Sequence, residues 1–85
     1  MLLRRTDRFT KDYAALPEEL KIGTEKAVVV LLNGPRSPSL RIKKMEGRHG
    51  VRELRVSEGY RLTFEIAGDT YILRRVGTHD VLKKP

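Results

Sequence analysis

Two arginines flank a short glycine-bearing segment in "LRVSEGYRL", Leu54 to Leu62. If Ser57–Glu58–Gly59 turns one strand into the next, Val56 faces Tyr60 and Arg55 faces Arg61. Side chains directly opposed across an antiparallel pair have Cβ atoms about 5 Å apart, and like charges so placed repel. An anion between them removes the conflict, and a phosphodiester suits, because guanidinium groups bind phosphate oxygens through paired donors. A carboxylate, Glu46, precedes the pair, and an imidazole, His79, follows it. These are the parts needed to cleave RNA through its own 2′-hydroxyl. A carboxylate takes the 2′ proton, the arginines hold charge on the phosphorus oxygens, and a histidinium protonates the departing 5′-oxygen.

A plainer reading covers the same residues. Glu53 and Glu65 alternate with the arginines and could neutralise both on an ordinary solvated sheet face. Taken singly, Glu46 reads as a surface carboxylate and His79 as a turn residue. Other chemistries find no motif. There is no G-x-S-x-G elbow, Walker loop or dinucleotide fingerprint, and "GRHG" is too short to cradle a nucleotide. His49 and His79 with scattered carboxylates form no metal-ligand spacing, so neither metal nor small-molecule cofactor is expected.

Composition bounds the answer. The 85 residues are enough for one domain, taken as 1–85. Eighteen Lys plus Arg against eleven Asp plus Glu give a formal charge of +7, and ten of those eighteen basic residues lie in the second half. Such a domain favours RNA, DNA or an acidic protein partner. The absence of cysteine excludes a disulfide framework, a thiolate zinc site and a cysteine nucleophile. The start, "MLLRRTDRF", is too short and too charged for a signal peptide, and "AVVVLL", Ala27 to Leu32, falls far short of the ~20 residues of a membrane span. A cytoplasmic protein with no membrane partner is expected.

The elements that must position these residues follow from periodicity. "LLRR", Leu2 to Arg5, suits a short first strand, and Thr6 or Asp7 an N-cap. Phe9, Tyr13 and Leu16 form an apolar helical stripe. Pro17 ends that helix and opens a second, from about Pro17 to Leu32, which "NGP", Asn33 to Pro35, stops. "LRIKKME", "VRELRV", "YRLTFEIA" and "TYILRRV" then read as four strands joined by glycine-bearing turns. Tyr60, Leu62, Phe64 and Ile66 are expected to face the helices, and Arg61, Thr63 and Glu65 the other side. The expected architecture is α+β: a helical hairpin packed on one face of a twisted antiparallel sheet.

In this order the segments "RFTKDYAALPEELK", "NGPRSPSLRIKKMEG", "GVRELRVSEGYRLTFEI" and "GDTYILRRVGTHDVL" resemble the RelE/ParE superfamily of bacterial and archaeal toxins from type II toxin–antitoxin pairs. The likeness spans nearly the whole chain. Its most specific parts are the L-R-V-x-x-x-Y-R-L-x-F block and the closing V-G-x-H-D. The resemblance implies a RelE-like fold, a cognate antitoxin as partner, and ribosome-dependent cleavage of mRNA. It assigns catalytic roles to Arg61 and His79, and Glu46 resembles a glutamate that some members use. Arg55 and Lys43 or Lys44 look like cationic groove residues; Arg48, Arg52 and Arg74 are expected to add RNA contacts. Several members carry an aromatic residue after the last catalytic position, whereas here no aromatic lies beyond Tyr71, so base stacking needs another source. The resemblance also admits a ParE-like inhibitor of DNA gyrase that cuts no RNA, or a degenerate toxin that only binds its antitoxin.

Overall fold

The computed structural model describes residues 2–34 and 36–85. The first strand, β1 (Leu2–Arg5), leads into helix α1 (Asp7–Ala14) and helix α2 (Glu18–Asn33). A short 3-10 turn over Pro38–Leu40 follows, then β2 (Lys43–Lys44), β3 (Val51–Ser57), β4 (Tyr60–Ala67) and β5 (Thr70–Thr78), with a last 3-10 turn over His79–Leu82. Thr6 caps α1 by accepting from the Phe9 amide at 3.1 Å. Its hydroxyl donates to the Arg74 carbonyl at 2.8 Å and so ties the helix start to β5. Pro17 is the N-cap of α2, and Glu18 and Glu19 stand in that helix's first turn, where carboxylates suit the positive end. The expected stop at Asn33–Pro35 can be followed to Gly34, since Pro35 lies outside the described residues.

The sheet order is β1-β5-β4-β3-β2. Strands β2 to β5 are antiparallel neighbours as the short turns require, and β1 adds a parallel edge beside β5, so the sheet is mixed. Phe9 and Leu16 of the first stripe meet Ala27 and Leu31 of α2 and a sheet floor of Leu54, Leu62, Phe64, Leu73 and Val76, all buried. Burial on this one face is the main stabilising term of a domain so small. Among the described residues no helix is long and apolar enough to cross a membrane.

Several details depart from the sequence reading. The strand expected over "LRIKKME" shrinks to Lys43–Lys44, because Pro38–Leu40 coils and Arg41 caps that turn in the left-handed region at φ 48°. β5 runs past Val76 to Thr78. The β3–β4 turn places Ser57, not Val56, opposite Tyr60, and a bulge at Val56 absorbs the shift. Ile66 is 42% exposed rather than core, whereas Thr63, expected to face solvent, is 0% exposed.

Candidate functional site

Three strands supply one row of residues. Arg55 on β3 stands opposite Arg61 on β4, and Arg61 stands opposite Gly77 on β5. Paired residues share a face, and the next row, Leu54, Leu62 and Val76, is buried under the helices. The arginine row therefore lies on the outer face. Lys43, Glu53, Thr63 and Arg75 form a second outer row.

The two arginines differ in how they are held. Arg61 folds over the β3–β4 turn, where its Nη1 donates to the carbonyls of Ser57, Glu58 and Tyr60 at 2.8, 3.1 and 3.0 Å. Its Nε and Nη2 donate to no acceptor among the described residues, so one edge of the guanidinium is fixed and the other free. Among the described residues Arg55 has neither a side-chain hydrogen bond nor a carboxylate oxygen within 4.0 Å. The expected neutralisation by Glu65 goes elsewhere, since Glu65 pairs with Arg74 at 3.5 Å.

His79 is exposed and opens the last 3-10 turn. Its predecessor Thr78 pairs with Tyr60, so the imidazole leaves the sheet at the end that holds the Ser57–Tyr60 turn and the Arg61 guanidinium. Gly77 makes room for this exit. A Cβ there would lie 2.9 Å from Val81 Cγ1, so the 79–82 turn can fold back over the outer face only against a glycine.

Glu46 lies in the β2–β3 loop, beyond Met45, whose amide donates to the Val51 carbonyl at 3.0 Å. Val51 opens β3 and Arg55 is four residues further on, a rise of about 13 Å. The fold thus brings Arg55, Arg61 and His79 to one end of the sheet and leaves Glu46 at the other. Lys43 shares the outer face. Lys44 and Arg52 pair with each other and, through Phe64, belong to the helix side of the sheet. There they line an open hollow with Arg48, His49 and Ile66.

Arg48 and Arg74 serve a different structure. The chain after the 79–82 turn crosses the outer face, and its main-chain oxygens are bound one after another. Arg48 Nη2 donates to Lys83 O at 3.1 Å, and Arg75 Nη1 to Lys84 O at 3.4 Å. Arg74 Nε and Thr63 Oγ1 converge on Pro85 O at 3.0 and 3.2 Å. Arg75 is further held by Asp12 of α1, which accepts from Nε at 2.8 Å and Nη2 at 3.0 Å; this carboxylate raises the arginine's pKa still further above its ordinary value. Sequence reasoning missed Thr63, Gly77 and the Asp12–Arg75 pair. Gly77 alone left a trace, as a glycine within a strand pattern marks close approach of another segment.

No protein-family model matches the chain, and no curated protein matches it by sequence. Solved structures do match its fold. The RelB–RelE antitoxin–toxin complex from Methanococcus jannaschii aligns at 26% identity and a TM-score of 0.77, covering 94% of both chains. Escherichia coli YafQ aligns at 16% identity and 0.79 over 94% of both. A YoeB/ParE toxin from Agrobacterium tumefaciens aligns at 14% and 0.81, over 93% of this chain and 99% of its own. The chain therefore has the fold of the small α+β toxins found in toxin–antitoxin pairs. Within that class its architecture is that of the RelE/ParE superfamily.

Proposed function

We propose that this protein is the toxin of a toxin–antitoxin pair and acts as an endoribonuclease that cuts mRNA on the ribosome without a metal ion. The observation that carries the reading is the Arg55–Arg61 pair, directly opposed, without a carboxylate partner among the described residues, and at the end of the sheet where His79 emerges. Opposed cations without a counter-ion suit a phosphodiester that bridges them. Arg61, anchored through Nη1, offers its remaining edge to a phosphorus oxygen without losing much freedom on binding. Arg55 supplies the second guanidinium. As the 2′-oxygen–phosphorus bond forms and the phosphorus–5′-oxygen bond breaks, the arginines stabilise the charge gathering on the non-bridging oxygens. His79 protonates the 5′-oxygen, and the 2′ proton passes to water. The products are a 2′,3′-cyclic phosphate and a 5′-hydroxyl.

Glu46, set about 13 Å along β3 from Arg55, takes no part in this step. Lys43 on the outer face and the cations around the β2–β3 loop add attraction for the RNA backbone. The antitoxin is carried over from the solved RelB–RelE complex. A groove lined by Leu3, Phe9, Tyr13, Val28 and Leu32 between β1 and the two helices, with Val29 exposed beside it, suits an apolar stretch of that partner.

The test is cleavage in a translating extract. The parent is expected to cut ribosome-bound mRNA at defined positions. His79→Ala and Arg55→Gln should lower the rate ~100-fold or more, and Glu46→Gln should not. Intact mRNA with trapped, cleaved DNA would instead establish a gyrase inhibitor. Loss of activity in Glu46→Gln would return that carboxylate to the reaction.

A further inference from the structure

The strap formed by residues 79–85 carries His79, so whatever holds the strap governs where the imidazole stands. One end is held by strand pairing, since Thr78 pairs with Tyr60. The middle rests on Val81, packed against Gly77. Lys83 O and Lys84 O receive Arg48 Nη2 and Arg75 Nη1, and the far end is held by Pro85, whose main-chain oxygen receives Thr63 Oγ1 and Arg74 Nε. Thr63 is the unexpected member. It stands on the outer face in mid-sheet, 0% exposed, and Pro85 O is its one side-chain hydrogen-bond partner. A threonine on a solvated sheet face needs no partner, whereas a buried hydroxyl does.

We propose that Thr63 is a positioning residue for His79: its buried hydroxyl pins the end of the strap and thereby fixes the imidazole beside Arg61. This rests on the nuclease reading above. His79 is exposed and makes no side-chain hydrogen bond among the described residues, so nothing but its backbone sets its place. With the Thr63 bond gone, Pro85 O keeps only Arg74, whose guanidinium is already shared with Glu65. The strap keeps its Arg48 and Arg75 bonds at Lys83 O and Lys84 O, but its last residue is then loosely held and the turn that carries His79 shifts with it. Proton transfer to a leaving oxygen tolerates little of this, because a displacement of about 1 Å can cost ~100-fold in rate.

Thr63→Val tests the idea, since it removes the hydroxyl at nearly constant volume and keeps a good strand former. Three measurements on the full chain are compared: single-turnover cleavage of ribosome-bound mRNA, affinity for the ribosome, and amide hydrogen exchange. In Thr63→Val the Lys83 amide, which donates to Asp80 O at 3.1 Å, should lose protection while the β4–β5 amides keep theirs. Cleavage should fall ~10- to 100-fold with ribosome affinity unchanged, and Thr63→Ser should restore both protection and rate. A Thr63→Val protein that cuts at the parent's rate, beside an inactive His79→Ala, overturns this inference and leaves the nuclease reading intact. A faster Thr63→Val protein overturns it as well and makes the strap a cover over the arginines. If the parent cuts no mRNA, the nuclease reading falls first and this inference with it.

Discussion

Arg55 and Arg61 face each other across β3 and β4 with no carboxylate oxygen of the described residues within 4.0 Å of either. Such a pair weakens the empty protein and favours the occupied one. Replacing Arg55 with Gln should therefore stabilise the fold by about 0.2–1 kcal/mol, seen as a higher urea midpoint at constant m-value, while abolishing most cleavage. Sulfate should raise the melting temperature of the parent more than that of the variant. A less stable Arg55→Gln protein would mean that the guanidinium is an ordinary structural contact.

Gly77 and Val81 give a second test. In Gly77→Ala the new methyl meets Val81 Cγ1 at 2.9 Å, which forces the 79–82 turn off the sheet. Overpacking of this kind costs about 1–3 kcal/mol. The double variant with Val81→Ala should recover stability and most cleavage. Failure of the second substitution to help would show that the 79–82 turn does not need the glycine's space.

Asp12 and Arg75 join α1 to β5 across 63 residues of sequence, and Asp12 also accepts from the Val76 amide at 3.3 Å. Asp12→Ala leaves the guanidinium without its carboxylate and should cost about 1–3 kcal/mol in urea unfolding. A cycle with Arg75→Met isolates the pair. Coupling below about 0.3 kcal/mol would show that the helix is held by its apolar stripe alone.

Tyr13 offers a pH test. Burial, and then the nearby Glu25 carboxylate, raise its phenol above the ordinary value of 10.0. The folded state therefore holds this proton more tightly than the unfolded state. The contribution to stability is complete below pH 10.0 and is lost as pH rises through the folded pKa. Phenolate absorbance should show a late transition that Tyr13→Phe removes and Glu25→Gln moves back towards pH 10.0. Unchanged titration in Glu25→Gln would sever the two residues.

The helices and the strand count were legible because their signals are local: the Phe9–Tyr13–Leu16 stripe, Pro17, and glycine turns between alternating runs. The two-residue turn at Gly68, with φ +62°, is such a signal, since that backbone region favours glycine. The Arg55–Arg61 register was also legible, though through compensation: a turn shorter than expected and a bulge at Val56 restore the same pairing. What could not be read depends on distant chain. Thr63 is buried by a residue 22 positions later, and the outer face becomes interior only where the strap crosses it. The bulge between Thr63 and Phe64 breaks the strict alternation of β5, so Leu73 and Val76 both face the core although two residues, Arg74 and Arg75, separate them.

The parallel edge has a consequence for synthesis. β1 precedes β2 to β5 in the sequence, yet among the described residues its one partner in the sheet is β5, through Leu2–Arg5 beside Thr70–Leu73. Until the ribosome has released that late segment, Leu3 has no neighbouring strand and Thr6 has no Leu73 carbonyl to receive its amide. Docking of β1 is thus postponed until β5 has been made, and a polypeptide cut short before Thr70 lacks that partner strand along with His79.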